Sequence, residues 1–268
     1  MFEEHLRRWA LVEDGAPIIT ASSHLLPVLF DGRPAMLKVA KTEEEERGHR
    51  LMAWWDGEGS AAVLAQDGPA LLMERAMGHA SLAQMARSGR DEEATLIICK
   101  VANELHAHDG ALPELTDLKE WFGELARAAQ RGGPLVAAAA VARALLANQT
   151  ERVALHGDLH HGNVLDFDAR GWRAIDPKGL HGERTFDFAN LLRNPDFPLA
   201  TVTGRFARQA TIVSAAAGLD RTRLLQWVLA FSGLSAAWLL ADGDTPVLDF
   251  AMMELAMAEL GRDDIPSG

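Results

Sequence analysis

Apolar and polar positions alternate along residues 18–40, with a break at the sequence FDGRP. Such alternation predicts half-buried strands, and Asp-Gly is a strong signal for a tight hairpin turn. A second alternating pair follows in SAAVLAQDGPALLMERA, again around Asp-Gly. Between the pairs, TEEEERGHRLMAWW has helical spacing and a capping-box pair at Thr42 and Glu45. We therefore predict a small β-rich unit with one helix over residues 1–75.

From about residue 80 the apolar positions recur every three or four residues, which predicts helices. The predicted helical stretches include SLAQMARSGRDEEATLIICKVANELHAHD, interrupted near Gly89, LTDLKEWFGELARAAQRGG, PLVAAAAVARALLANQ and RTFDFANLLRN. Within this part, residues 155–179 have the pattern of short strands and turns instead. The sequence therefore predicts an α+β protein whose second unit, 76–268, is mainly helical. A cleft between two such units is a common ligand site.

Composition narrows the class of protein. The chain has 268 residues, of which 48% are hydrophobic and 24% charged, as in globular proteins. No apolar run approaches the eighteen residues of a membrane span, and the amino terminus lacks a signal-peptide core. The single cysteine, Cys99, lies in an apolar helical run and is expected to be buried and inert. These features predict a cytoplasmic protein without membrane contact.

The net charge of −12 excludes one class of partner. Lys and Arg are scattered, without the basic stripe that nucleic acid binding requires. An acidic balance is compatible with a cationic small-molecule substrate, and it also simply keeps proteins soluble. The charge alone does not choose between these two explanations.

The stretch LHGDLHHGNVLDFDARGWRAIDPKG gathers unusually many polar groups between apolar pairs. Asp158 and Asn163 stand five apart on a predicted loop, and Asp176 follows the short strand RAI. Carboxylate and amide oxygens suit Mg²⁺, which favours one or two carboxylates plus substrate phosphates. Asp158 could then accept a proton from a nucleophile. Upstream, Lys38 lies inside the apolar strand AMLKV, where it could reach into a cleft.

Simpler explanations exist for each of these residues. Asp and Asn also favour turns for purely structural reasons, and a lone strand lysine can serve solubility at a sheet edge. The three histidines of the stretch, at 156, 160 and 161, could in principle bind zinc. Their spacing matches no established ligand pattern, however, and no cysteine lies near them. The joint spacing of the acidic and amide residues favours the magnesium interpretation.

This ensemble resembles the protein-kinase-like phosphotransferases, which combine a strand Lys, a helix Glu, a catalytic-loop Asp and Asn, and a later metal-binding Asp. HGDLHHGN has the D-x-x-x-x-N spacing, and HGD with D-P-x-G is similar to the aminoglycoside phosphotransferase family. LHGDLHHGNVL, RGWRAIDPKGLHGE and GLSAAW resemble its streptomycin 6-kinase and hydroxyurea phosphotransferase branch. The resemblance covers nearly the whole chain. It implies a bilobal kinase-like fold, with a small β-rich N-lobe and a larger helical C-lobe.

The resemblance also implies roles for individual residues. Asp158 would be the catalytic base, Asn163 and Asp176 would bind Mg²⁺, and Lys38 would contact the α- and β-phosphates of ATP. One of the four consecutive glutamates at 43–46 would hold this lysine. Glu45 fits best by its spacing to the phrase MAWWDGEG, and Glu46 is close behind.

Further residues are implied in supporting roles. Backbone groups of Glu74 and Ala76, in the hinge sequence LLMERA, would hold the adenine. His156 would brace the catalytic loop, and Asp187 would be the buried aspartate beneath it. The loop expected over the phosphates, TASSHLLPV, lacks the G-x-G-x-x-G pattern, so Ser22 and Ser23 would supply donors there by analogy alone.

The acceptor site is the least specified part of the resemblance. By analogy the helix containing GLSAAW borders it, which singles out Trp238. Asp242, Asp244 and Glu254 are candidates for pairing with a cationic acceptor because they lie on or near that segment.

The function implied is an ATP- and Mg²⁺-dependent O-phosphotransferase, with a cationic aminoglycoside such as streptomycin as acceptor and its 6-hydroxyl as the target. Two alternatives remain open: a kinase for hydroxyurea or another small hydroxyl acceptor, and an inactive kinase-like binding module. A protein kinase is disfavoured, since Asp176 to Asp187 is too short for an activation loop. The sequence does not specify the oligomeric state.

Overall fold

The computed structural model describes residues 1–263. Its amino-terminal part is a six-stranded sheet in which every pairing is antiparallel, with the order β1-β3-β4-β6-β5 and β2 paired to β3. The elements here are α1 (Glu3–Arg8), β1 (Val12–Glu13), β2 (Ile18–Ile19), β3 (Ser23–Phe30), β4 (Arg33–Ala40), α2 (Glu43–Trp55), β5 (Val63–Asp67) and β6 (Ala70–Glu74).

Local sequence explains most of this unit. Asp31 and Gly32 both have positive φ, at 48° and 74°, as a two-residue hairpin turn between β3 and β4 requires. Thr42 caps α2 by accepting the Glu45 backbone N–H at 3.3 Å. These elements were predicted from the sequence. The helix α1 and the strand β1 were not, because neither shows a sustained apolar period.

The remaining part is mainly helical, with five short strands. Its helices are α3 (Leu82–Met85), α4 (Asp91–His106), α5 (Leu118–Trp121), α6 (Gly123–Ala128), α7 (Leu135–Ala147), α8 (Phe197–Ala200), α9 (Arg205–Ala217), α10 (Arg221–Asp242) and α11 (Val247–Asp263). Its strands are β7 (Thr116–Asp117), β8 (Arg152–Leu155), β9 (Val164–Asp166), β10 (Trp172–Ala174) and β11 (Leu180–Glu183). Strands β7, β11 and β8 form one small sheet, and β9 and β10 form a hairpin.

Helix α10 runs through the centre of this helical part. It is long and apolar enough to cross a membrane by composition, but 67% of its most apolar window is buried inside the protein. Trp227 and Leu234 on this helix are fully buried. Its apolar character is therefore explained by packing in the core.

The predicted helix over RTFDFANLLRN is wrong. The structure has two 3₁₀ turns instead, at Arg184–Phe188 and Leu191–Arg193. Asp187 in the first turn and Asn190 between the two turns both form hydrogen bonds to the loop after Leu155. Tertiary contacts thus override the helical period of the segment.

Close backbone contacts join the two parts of the chain. The Ala174 N–H donates to the Gly59 carbonyl and the Ala61 N–H donates to the Ala174 carbonyl, each at 2.9 Å. Helix α2 packs on the turn after β10 so tightly that a Cβ on Gly48 would overlap the Pro177 carbonyl oxygen. The sheet and α2 therefore have a fixed position relative to this turn.

Candidate active site

Asp158 lies on the loop between β8 and β9, and two amide side chains hold its carboxylate. Asn190 Nδ2 donates to Oδ1 at 2.8 Å, and Asn163 Nδ2 donates to Oδ2 at 3.2 Å and to the Asp158 carbonyl at 2.9 Å. The side chain is 31% exposed. Because both oxygens are oriented but still reachable, this carboxylate can accept a proton from a bound hydroxyl.

Asp187 supports the start of the same loop from below. Its carboxylate accepts the backbone N–H groups of His156 at 2.8 Å and Gly157 at 2.7 Å. His106 donates from Nε2 to the same carboxylate at 2.8 Å. Asp187 is 2% exposed, so its charge is satisfied entirely by these donors and not by solvent. It orients the loop that carries Asp158.

His156 links the loop to the strand that precedes Asp176. Its Nδ1 accepts the Asp158 N–H at 3.2 Å, so Nε2 carries the proton and donates to the Ile175 carbonyl at 2.8 Å. Burial lowers the pKa of His156, against the opposing effect of Asp187 and Asp158. The neutral ring is therefore a bridge between the two segments.

Asn163 and Asp176 lie at the same end of the β9–β10 hairpin, where the Ile175 N–H donates to the Asn163 carbonyl at 2.9 Å. Asp176 has φ +62° and a side chain 36% exposed. Burial acts to raise the pKa of this carboxyl, but Lys38 and then Lys178 outweigh it and hold the pKa below its ordinary value. The carboxylate is thus ionised near neutral pH.

These two residues fit a magnesium ion. The Asn163 nitrogen is committed to Asp158, so its amide oxygen is left for a cation, beside the ionised Asp176. Among the described residues no three His, Cys, Asp or Glu side chains gather into a metal-binding group. A site with few protein ligands is what Mg²⁺ uses when substrate phosphates supply the rest. The described residues therefore offer no group of three ligands that would support the zinc alternative.

Lys38 projects from β4 and is 5% exposed. It forms ion pairs with Glu45 of α2 and with Asp176. Of the four consecutive glutamates, Glu45 is the buried one, at 3% exposed, whereas Glu46 is half-buried and does not pair with Lys38. The Glu45 side chain therefore does not close a capping box. It positions the lysine instead.

A cavity of about 270 Å³, here called the inter-lobe cavity, opens beside Lys38. Its lining comes from β2, β3, β4, α2, β6 and the segment after β10, and includes Ser22, Ser23, His49, Ile175 and Asp176. Ser22 and Ser23 thus border the same cavity as Lys38. A polyphosphate in this space could meet both an ammonium group and hydroxyl donors.

The predicted hinge residues lie outside the lining of this cavity. The Glu74 N–H donates to the Ala62 carbonyl at 2.9 Å, and the Glu74 carboxylate accepts the Ala62 N–H at 2.7 Å. Arg170 pairs with that carboxylate at 2.8 Å. The N–H of Glu74 is therefore not free for a ligand. Adenine binding by the Glu74 carbonyl and by Ala76 stays a prediction.

This geometry can be compared with known proteins. The family model for aminoglycoside/hydroxyurea antibiotic resistance kinases matches residues 8–243. The streptomycin 3''-kinase of Klebsiella pneumoniae is 53% identical over 96% of this chain and 98% of its own length. The chain belongs to the aminoglycoside/hydroxyurea antibiotic resistance kinase family. The family resemblance expected from the sequence is confirmed, and the protein is a phosphotransferase that acts on hydroxyl groups.

Two further comparisons concern a less similar relative and a solved structure. The streptomycin 6-kinase of Streptomyces glaucescens is 32% identical over 98% of this chain and 89% of its own length. An apo crystal structure of a thermostable mutant of the aminoglycoside phosphotransferase APH(4)-Ia has a TM-score of 0.68 at 17% identity, covering 97% of this chain and all of that one. At that identity the match concerns the fold alone, and it confirms the bilobal kinase-like architecture.

A second cavity of this kinase, of about 500 Å³, is here called the tryptophan cavity. Its lining residues are Glu44, Arg47, Thr116, Glu120, Trp121, Glu124, Arg127, Lys178 and Trp238. Trp121 and Trp238 meet edge to face, with ring centroids 5.4 Å apart. The structure therefore places Trp238 on a cavity wall.

The acidic residues proposed for acceptor pairing do not lie on this cavity. Asp242, Asp244 and Glu254 are exposed elsewhere on the surface, and Asp242 is one helical turn beyond Trp238. Acceptor binding by these three residues stays a prediction. The acidic lining comes instead from α2 and from the segment 118–124, which the sequence pattern identified only as helical.

Sequence reasoning also missed supporting residues of the kinase. Asn190 orients the Asp158 carboxylate, and His106 donates to Asp187. Asn190 stands three residues after Asp187 in FDFAN, and this spacing places two side chains on one face of a helix, which was a local signal for Asn190. His106 is the last residue of α4 and has no local signal that points to the loop.

Proposed function

We propose that this kinase transfers the γ-phosphoryl group of ATP to a hydroxyl of streptomycin, and so inactivates the antibiotic in the cytoplasm. One observation carries the proposal: the oriented Asp158 carboxylate, the Asn163–Asp176 pair and the Lys38–Glu45 ion pair lie together in a chain 53% identical to a streptomycin kinase. We also propose that residues 1–75 hold the nucleotide and 76–268 hold the catalytic loop and the acceptor.

The proposed chemistry uses few protein groups. The acceptor oxygen forms a bond to the γ-phosphorus while the bond from that phosphorus to the β,γ-bridging oxygen breaks, and ADP leaves with the electron pair. The hydroxyl proton passes to the Asp158 carboxylate. Lys38 neutralises phosphate charge, with Glu45 fixing its position. Asn163 and Asp176 would hold Mg²⁺, which supplies further neutralisation of the nucleotide when it is bound.

The tryptophan cavity supports a cationic acceptor. Glu120 contributes a carboxylate that has no ion pair among the described residues, and the faces of Trp121 and Trp238 can attract a cation. Two further carboxylates of the lining, Glu44 and Glu124, already pair with Lys178 and Arg127. Streptomycin carries guanidinium groups, which pair well with carboxylates. We infer that the acceptor binds here, rather than beside Asp242, Asp244 and Glu254 as first expected.

The relatives differ in the position of phosphorylation that their names give. The relative at 53% identity is named a 3''-kinase, and the relative at 32% a 6-kinase. The sequence motifs led us to expect the 6-hydroxyl. Two-dimensional phosphorus–proton NMR of the product identifies the hydroxyl directly: a correlation to the streptidine ring supports position 6, and one to the terminal sugar supports position 3''.

The decisive experiment is coupled measurement of ADP release with Mg-ATP and a panel of acceptors. Streptomycin is expected to give the highest kcat/KM, and hydroxyurea a lower one. Turnover with hydroxyurea but not with streptomycin would contradict the proposed acceptor and leave the proposed mechanism unchanged. In a parallel thermal melt, Mg-ATP is expected to raise the Tm, and Asp176→Ala to remove most of that rise. No Mg-ATP effect on the wild type would favour an inactive binding module.

A further inference from the structure

Lys178 has no part in the mechanism above, yet its backbone is fixed beside the reacting groups. It lies two residues after Asp176, and its N–H donates to the His156 carbonyl at 2.7 Å. The next residue, Gly179, has φ +67°, and a Cβ there would lie 3.0 Å from the Arg47 backbone of α2. The turn that carries Lys178 is thus held between the catalytic loop and α2.

The ammonium group of Lys178 is surrounded by carboxylates. Glu44 Oε1 lies 3.2 Å from Nζ and Glu45 Oε1 lies 3.8 Å away, and the side chain is 21% exposed. These two carboxylates form ion pairs with the ammonium group. Glu44 occupies one of its three N–H donors at hydrogen-bond distance.

The position of Lys178 separates the two cavities. Asp176 and Pro177 line the inter-lobe cavity, whereas Lys178, the next residue along, lines the tryptophan cavity. With the nucleotide in the first cavity and the acceptor in the second, as proposed above, the phosphoryl group is transferred beside this turn. Lys178 is the cation that this turn carries.

Two other cations close to the catalytic groups are already committed. Lys38 pairs with Glu45 and Asp176 on the nucleotide side. Arg193, whose charge also reaches Asp158, is 7% exposed and bonds to Asp249 and Ser235. The catalytic-loop sequence LHHG, between Asp158 and Asn163, contains no Lys or Arg. Phosphoryl transfer, in contrast, requires positive charge where the equatorial oxygens pass.

We propose that Lys178 donates hydrogen bonds to the oxygens of the phosphoryl group during its transfer, with Glu44 holding the ammonium in place. This inference rests on the proposed phosphotransfer. Lys178 keeps its proton throughout: the acceptor hydroxyl proton goes to Asp158, the new bond joins the acceptor oxygen to phosphorus, and ADP departs. Lys178 thereby stabilises the charge on the transferred group and does not act as acid or base.

The test compares Lys178→Met and Lys178→Arg with Lys100→Met, an exposed lysine on α4. ADP release is measured with streptomycin and without any acceptor, and Mg-ADP affinity by calorimetry. Lys178→Met is expected to lower kcat about a hundredfold, as loss of a transition-state donor does, while KM for ATP and Mg-ADP affinity change less than about threefold. Lys178→Arg should recover at least about tenfold over Lys178→Met.

Each contrary result has a distinct meaning. A kcat for Lys178→Met within threefold of Lys100→Met would overturn the inference, and so would a loss that appears only in Mg-ADP affinity or in a lowered Tm. If the wild type releases ADP but streptomycin does not stimulate it, the acceptor assignment fails, and the variants are still compared by their basal ADP release. If the wild type releases no ADP at all, both the phosphotransfer and the role of Lys178 are excluded.

Discussion

The inter-lobe cavity and the tryptophan cavity meet at the turn after Asp176 but are built differently. The first is bordered by buried, paired charges: Lys38 and Glu45 are 5% and 3% exposed. The second is bordered by more accessible carboxylates such as Glu120, and by two half-buried tryptophans. Buried ion pairs lose much when one partner is removed, whereas exposed charges contribute little individually. The inter-lobe cavity, proposed for the nucleotide, should therefore tolerate substitution less well than the tryptophan cavity, proposed for the acceptor.

The largest effect is expected at Asp158, the proposed base. Asp158→Asn keeps the shape of the side chain but removes the proton acceptor, so kcat should fall about 10³-fold with streptomycin. Its Tm and its Mg-ATP affinity should remain near those of the wild type, because Asp158 is not part of the nucleotide lining. A steady-state assay together with calorimetry checks both expectations. Retention of more than a tenth of the wild-type kcat would contradict the role of Asp158 as base.

The same contrast explains what could be predicted from sequence. Asp158, Asn163 and Asp176 fall within one stretch, and the register of a single hairpin brings Asn163 and Asp176 together. Lys38 and its helix glutamate follow from a strand and the next helix. This half of the site could therefore be predicted, because its residues are close to one another in the sequence.

The proposed acceptor half of the site could not be predicted in this way. Trp121 and Trp238 are more than a hundred residues apart, and only the packing of the helical part places them in contact. No local pattern distinguishes Glu120 from the many other exposed glutamates. Asp242 was named for its proximity to Trp238 in the sequence, and this proximity does not determine which residues line the cavity.

The next prediction concerns α2, which borders both cavities. A Cβ at Gly48 would overlap the Pro177 carbonyl, so Gly48→Ala should force α2 away from the turn and destabilise the protein by about 2 kcal/mol. Because this displaces Glu44 and Glu45 together, kcat/KM should fall for ATP and for streptomycin alike. Chemical denaturation and steady-state kinetics measure the two effects.

Gly261→Ala is the matched control, since Gly261 lies in α11 and no atom of the described residues is near a Cβ added there. There the same change should stabilise the helix by up to about 1 kcal/mol. Equal effects of the two substitutions would contradict the close contact of α2 with the Pro177 turn.

A smaller effect is expected from His161, which is 3% exposed and has no hydrogen-bond partner on either ring nitrogen among the described residues. Burial, and then Arg205, lower the pKa of His161 to about 4. The unfolded chain binds this proton below about pH 6.5, and the folded chain only below about pH 4. Stability should therefore fall as pH drops through this window, by about 2 kcal/mol at pH 5.

His161→Leu should flatten this part of the pH profile of unfolding free energy, and His79→Leu, at an exposed position, should not. Urea unfolding between pH 7 and pH 4.5 provides the measurement. An unchanged slope in His161→Leu would show that other groups govern the acid sensitivity of the catalytic loop.

The smallest effect is expected on the acceptor side, and it tests the contrast most directly. Replacing Glu120 and Glu124 together by Gln removes two accessible carboxylates from the tryptophan cavity, so KM for streptomycin should rise about tenfold while KM for ATP stays constant. The increase should shrink at high salt, because exposed charges are screened. Glu114→Gln, outside the cavity lining, is the control. A rise in KM for ATP instead would contradict the separation of the two cavities. It would mean that the carboxylates of the tryptophan cavity affect the binding of ATP.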